Sequence, residues 1–465
     1  MKKYQIKLMS YFFIVLLTNC SLFQNRNHQY SEKLSRIFQA GINMGDASSF
    51  YNEFDDQLRR KLPPPALQAF LAKVKSFCGR INTMGEVTLE KDGGVFYPRF
   101  SSGNCLIKYT HDVNLKISNF IIKPYKVKIP TFIQNKDHTF TKRVKDISDY
   151  YFKHTKLVGM AIGIIEKGKL SYIYKGHQHF SKKTPINENS IFEIGSISKT
   201  FTAVMLADAI LNNKISANTK IKTLLPILKR TPVQNISLSS LSLHVSGLPK
   251  LPDDLPHNSD PYGLYDEKQL INFFKKSKYS LKITKQNKVK YSNLGVALLG
   301  VGLEKIYNKT YEEILQENIA MKGELVASTS DIDLCNRKAL AFGHANEVIV
   351  PHWTFKAFKA TGGIYSNIVD MTHFLKNLFT KTGLLNKHLS IMLQYKEKDT
   401  NQSTAHLGIF SKKDLEQEFY WHNGGTGGFS SFYAYDPKGE FGIVILNNAY
   451  DSPITELGMK IMTGR

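Results

Sequence analysis

Cysteine is scarce: the 465 residues hold four, at positions 20, 78, 105 and 335. Four are too few for a disulfide-built scaffold, and no Cys/His spacing has the pattern of a zinc site. Acidic side chains are also short, 39 Asp and Glu against 62 Lys and Arg, for a net charge of +23. No repeat or low-complexity tract is present, which excludes solenoids and wholesale disorder. No apolar run reaches ~18 residues, so no bilayer-spanning helix is expected. Helix-turn-helix, zinc-finger and RNA-binding signatures are missing too, although the positive charge alone would suit nucleic acid.

What is present is a chain too long for one ordinary domain, with 42% hydrophobic and 12% aromatic residues to build a core. Its start reads MKKYQIKLMSYFFIVLLTNC. Lys2, Lys3 and Lys7 precede a short apolar stretch, the pattern of an export signal over residues 1–20. Leu17-Thr18-Asn19-Cys20 resembles a lipobox, which implies lipidation of Cys20. Asn19 stands where a small residue is usual, and plain secretion is the alternative. Ser21 suits sorting to an outer membrane. The expectation is a periplasmic lipoprotein held by an N-terminal lipid anchor, its excess charge drawn to anionic envelope surfaces rather than to nucleic acid. In that oxidising compartment Cys78 and Cys105 could pair, or could be ordinary buried thiols. Cys335 is left over.

Residues 21–125 read as a small α+β module. Two helices over 31–76, the second started by Pro63-Pro64-Pro65, precede strands with turns at Asp92-Gly93-Gly94 and Gly103-Asn104. That order is similar to cone-shaped nuclear-transport-factor-like domains. Residues 126–145 read as a polar, basic linker, and 146–465 as the main domain. There, Leu157–Ile165 and Leu170–Lys175 form a strand pair turning at Lys167-Gly168. At the far end SSFYAYDPKGEFGIVILNNA is a hairpin through Asp436–Gly439, followed by an amphipathic helix from Thr455 to Met462. Helical periodicity dominates between these ends. The fold class is α+β, an antiparallel sheet built from both ends of the domain around a large helical insertion.

Three segments carry chemistry. In FEIGSISKTFTAVMLADAIL, Ser196 and Lys199 are three apart at the start of an almost wholly apolar helix. That spacing puts both on one face, and burial favours the neutral amine, a base. Tyr-x-Asn occurs twice. Tyr291-Ser292-Asn293 opens an apolar helix and is preferred; Tyr365-Ser366-Asn367 opens an amphipathic one and reads as structural. The third segment, Trp421-His422-Asn423-Gly424-Gly425, runs into the C-terminal hairpin, where glycines let a substrate approach the backbone closely.

In this order the three segments resemble the serine β-lactamase and penicillin-binding protein superfamily, in its class C β-lactamase-like branch. LSLHVSGLP over 241–249 and the Ala360–Ser366 turn add to the resemblance. It implies Ser196 as nucleophile, Lys199 as its activating amine and Tyr291 as proton relay. Asn293 would bind the substrate amide, His422 and Gly424 would form the third motif, and the Ser196 and Gly425 amides an oxyanion hole. Neither a metal nor an organic cofactor is implied.

Two departures stand out. The third motif is His422-Asn423-Gly424 where true β-lactamases carry Lys-Thr-Gly, so the permanent charge for a substrate carboxylate is missing. Ahead of Tyr291, Lys275, Lys276, Lys278, Lys282, Lys285, Lys288 and Lys290 occur with no acid between them, a solvated basic surface or a dock for an anionic polymer. The expectation is a serine hydrolase acting through an acyl-enzyme on ester or amide bonds of small molecules or peptidoglycan-type D-amino peptides. A true β-lactamase and a non-catalytic cell-wall-binding protein are the alternatives.

Overall fold

The computed structural model describes residues 29–464 except 85–86, 91, 97, 101–104, 125–138, 156, 182–183, 257, 277–287, 346–347, 401–402, 415–416 and 451. Cys20 and the signal therefore lie outside the described residues. Two compact units divide between residues 127 and 128.

In the first unit the helical half holds four helices where periodicity suggests two. They span residues 29–44, Ala47–Tyr51, Asp56–Lys61 and Pro64–Cys78. The short ones are set off by aspartates: Asp46 caps Ser49 N and Asp55 caps Leu58 N. Pro64 and Pro65 begin the last, where the missing N–H costs nothing. The helices cover an antiparallel sheet ordered Val87–Glu90, Gly93–Phe96, Cys105–His111, Ile117–Pro124. Phe38, Phe50, Phe54, Phe96 and Tyr109 fill the interface. A disulfide joins Cys78, ending the last helix, to Cys105, starting a central strand.

The first described element of the second unit is the helix Phe140–Thr155, so residues 140–145 belong to this fold and not to a linker. Its first amides are satisfied from a distance: Glu166 accepts from Phe140 N at 2.8 Å and Thr141 N at 3.1 Å. An eight-stranded antiparallel sheet follows. From edge to edge its strands are Lys396–Lys398, Ser403–His406, Ile409–Asp414, Gln417–Gly425, Ser430–Tyr435, Phe441–Asn447, Gly159–Glu166 and Lys169–Gly176. Both ends of the domain thus meet in one sheet.

Strand alternation assigns its two faces. Gly163, Val444, Tyr433 and His422 pair across neighbouring strands and share one face. Against it packs the helix Ile368–Phe379: a Cβ on Gly163 would fall 1.9 Å from Thr372 Oγ1. Ile162, Ile445, Phe432 and Asn423 share the other face, and the terminal helix Ile454–Thr463 lies against Phe432. The helix Ser198–Leu211 runs beneath the first face, all but Ile210 and Leu211 buried. A helix apolar all round belongs in a core, where each large side chain contributes about 1.5–3 kcal/mol.

Candidate active site

Gly195 turns the chain into the 3-10 turn Gly195–Ile197 that leads into this helix. Its φ is +52°, and a Cβ there would meet Gly425 N at 2.6 Å. Glycine is needed twice over, for the left-handed backbone and for the approach of the Gln417–Gly425 strand. That strand pairs with Ile409–Asp414 only as far as Trp421, which leaves the edge from His422 to Gly425 open toward Ser196. Ser431 Oγ ties the two segments by donating to the Ile194 carbonyl at 2.8 Å.

Lys199 Nζ stands 3.0 Å from Ser196 Oγ and donates to the Thr361 carbonyl at 2.6 Å. Lys199 is 2% exposed, and burial, with Lys250 nearby, pushes its amine well below the ordinary lysine range. A neutral amine held through one N–H keeps a lone pair that can take the serine proton.

Tyr291 faces the same point. Its hydroxyl lies near enough to the Ser196 side chain to be influenced by it, and its ring centroid is 4.9 Å from Lys199 Nζ. Burial raises the phenol above its ordinary value, so it stays protonated at neutral pH. Its backbone is clamped by the 241–250 segment. Ser292 Oγ accepts from Gly295 N and donates to the Pro249 carbonyl at 2.7 Å, while the Lys250 carbonyl accepts from Asn293 N at 3.0 Å. The Asn293 side chain lies near the Tyr262 phenol, and its Oδ1 is buried with no partner among the described residues.

His422 is 1% exposed. Its Nδ1 lies 2.6 Å from the Asn423 carbonyl, which can only accept, so Nδ1 carries the hydrogen and Nε2 the lone pair. Burial first, then Lys199, pushes its pKa down to about 3. Nε2 has no partner among the described residues. This position therefore presents an uncharged acceptor. Asn423 points the other way and donates to Thr455 Oγ1 on the terminal helix at 3.0 Å. Gly424 lies tight under the nucleophile turn, where a Cβ would meet the Ile194 carbonyl at 2.1 Å.

A family model described as Beta-lactamase matches residues 137–456, a span that holds every one of these groups. The chain belongs to the β-lactamase family. Among relatives of this β-lactamase-family chain, a β-lactamase of Pseudomonas fluorescens is 24% identical over 338 residues, 63% of this chain and 88% of the relative. One of Escherichia coli K12 is 25% identical over 336 residues, 64% and 86%. The fold matches the β-lactamase/D-alanine carboxypeptidase of Pseudomonas syringae with a TM-score of 0.62 at 19% identity, over 70% of this chain and 98% of that one. It matches a class C β-lactamase of Rhodobacter sphaeroides with 0.60 at 18%, over 69% and 98%.

In this β-lactamase-family chain the structure gathers Ser196, Lys199, Tyr291, Asn293, His422, Gly424 and Gly425 around one point. Tyr365 lies elsewhere: its strand pairs with Phe192–Glu193, and Asn367 caps a helix. Sequence reasoning passed over His244, Tyr262 and the Thr361 carbonyl. His244 lies inside the LSLHVSGLP segment, which was its signal; a backbone carbonyl has none. Cys335 is a buried free thiol, pushed up to about 12 by burial, and packs outside the site with Ile191 and Leu340. Of the lysine-rich stretch, Lys275, Lys276, Lys288 and Lys290 are exposed, and 277–287 lie outside the described residues. Among the described residues no group of three or more His, Cys, Asp or Glu could hold a metal, and no helix is long and apolar enough to cross a membrane.

Proposed function

We propose that this chain is a serine hydrolase that works through an acyl-enzyme on esters or amides whose leaving group carries no carboxylate. The observation that supports it most is Ser196 Oγ at 3.0 Å from the buried Lys199 amine. Lys199 takes the hydroxyl proton as Oγ attacks the substrate carbonyl, and the oxyanion sits between the Ser196 and Gly425 amides. Tyr291, a protonated phenol, passes a proton to the departing oxygen or nitrogen and is restored from Lys199. Water then attacks the acyl-Ser196 ester by the reverse relay, giving a carboxylic acid and free enzyme.

His422 supports the substrate class. A neutral imidazole whose lone pair has no partner among the described residues repels a carboxylate and accepts from an N–H or O–H. Small esters and D-amino amides fit that chemistry better than β-lactams do. The second reading, a true β-lactamase, is favoured by the names of the relatives. Attachment to a membrane through lipidated Cys20, on the periplasmic side, is part of the proposal, and mass spectrometry of the mature N-terminus tests it.

A fluorophosphonate probe should label the wild-type chain at Ser196. Equal labelling of Ser196→Ala overturns the nucleophile. Rates on an ester, a D-amino amide and nitrocefin separate the readings: nitrocefin turned over fastest means a β-lactamase.

A further inference from the structure

We propose that Tyr450 is an aromatic wall of the cleft, a specificity-determining residue against which a planar apolar group beside the scissile carbonyl stacks. The inference rests on the acyl-enzyme reading above. Gly425, whose amide is the proposed oxyanion donor, ends its strand with its Cα hydrogens in place of a side chain. A Cβ built there would find only the Phe429 carbonyl at 3.8 Å and Tyr450 Cε2 at 3.9 Å within 4 Å. The tyrosine ring thus borders the strand end at ordinary contact distance from where a side chain on Gly425 would begin.

Tyr450 is 54% exposed, so much of a large aromatic residue has no partner among the described residues. Its backbone is nonetheless fixed. Tyr450 N donates to the His344 carbonyl at 2.9 Å, and His344 N donates to the Gly428 and Asn448 carbonyls, both at 3.1 Å. His344 itself is 1% exposed. The tyrosine's backbone is therefore stitched to the same glycine-rich turn that carries the oxyanion amide. His422, on the strand that ends at Gly425, is neutral, so what this side offers a substrate is apolar area and not charge.

Two ester pairs test this on the full chain. Phenyl and trifluoroethyl acetate differ on the leaving side; nitrophenyl phenylacetate and nitrophenyl acetate differ on the acyl side. kcat/KM is measured for wild type, Tyr450→Phe and Tyr450→Ala. Comparing chains within a pair cancels intrinsic reactivity and any loss of folded enzyme. The aromatic-to-aliphatic ratio should fall about two- to tenfold in Tyr450→Ala for one of the pairs, the size of a stacking contact, and stay near wild type in Tyr450→Phe. Ratios unchanged in both pairs overturn the wall. Turnover of any of these esters by Ser196→Ala overturns the acyl-enzyme reading instead.

Discussion

The rings of His244 and Tyr291 lie 4.3 Å apart, and His244 grips the chain on both sides of that tyrosine. Its carbonyl accepts from Lys290 N at 2.7 Å and its Nδ1 from Ser292 N at 3.2 Å. The residue sits at φ +61°, a left-handed conformation in which histidine is among the better-tolerated residues. His244→Phe keeps a ring on Tyr291 but strands the buried Ser292 N–H, at a cost of about 1–3 kcal/mol. Tyr291 is proposed to act in the chemical step, so kcat should fall about tenfold or more while KM changes little. Ester kinetics and thermal unfolding check this; wild-type kcat in His244→Phe removes the histidine from a positioning role.

Acid should loosen the fold through the same region. His422 is held down to about 3 and His244 well below its ordinary value, both by burial first and the Lys199 amine second. In the unfolded chain each titrates near 6.5. Below that pH the unfolded state binds protons that the folded state refuses, so stability present above 6.5 is lost on the way down to about 3. Each imidazole contributes a slope of about 1.4 kcal/mol per pH unit. Glu193 and Asp370, whose carboxyls burial pushes up, act in the opposite sense. The difference between wild type and His422→Gln isolates the histidine: the variant's urea midpoints should fall less steeply from pH 6 to pH 4. Parallel profiles would mean that His422 is not buried neutral.

The first unit should depend on its disulfide. Cys78 and Cys105 are separated by 27 in sequence, and closing a loop of that length stabilises by about 3–4 kcal/mol through the unfolded chain. Both tryptophans of the chain, Trp353 and Trp421, lie in the second unit. Replacing both cysteines by serine should therefore lower the midpoint of an unfolding transition seen by circular dichroism and leave tryptophan fluorescence almost unmoved. A shift of the fluorescence transition alone would contradict this.

Local pattern carried much of this in the sequence. Ser196 and Lys199 were legible because a lysine in an apolar helix has no other reason to be there, and the sheet's two ends because Lys167-Gly168 and Asp436–Gly439 are turn residues between alternating strands. What stayed hidden depends on distant partners. The helix start at Phe140 has a local cap in Thr139, whose Oγ1 accepts from Lys142 N at 3.3 Å, but its first two amides go to Glu166, 26 and 25 residues away, which no local spacing records. Asn423 reads as part of the third motif, yet alternation turns it toward Thr455. The Thr361 carbonyl that holds Lys199, and the Nδ1–H tautomer of His422, are set by backbone geometry that no residue spacing records.

That tautomer gives the sharpest contrast with a penicillin-directed site. His422→Lys would place an ammonium where the lone pair now stands, on the open edge of the Gln417–Gly425 strand. Hydrogen bonds to a charged partner contribute about 1.5–3 kcal/mol, so a substrate carboxylate should gain roughly tenfold or more in kcat/KM. The new cation also faces Lys199, and like charges within a few ångströms lower each other's proton affinity. Lys199 then stays neutral to still lower pH, and the activating amine is preserved. The ratio of nitrocefin to neutral-ester kcat/KM should therefore rise in His422→Lys, at some loss of stability from the buried charge. If that ratio does not move, His422 does not set the preference, and discrimination against carboxylates must come from another wall of the cleft.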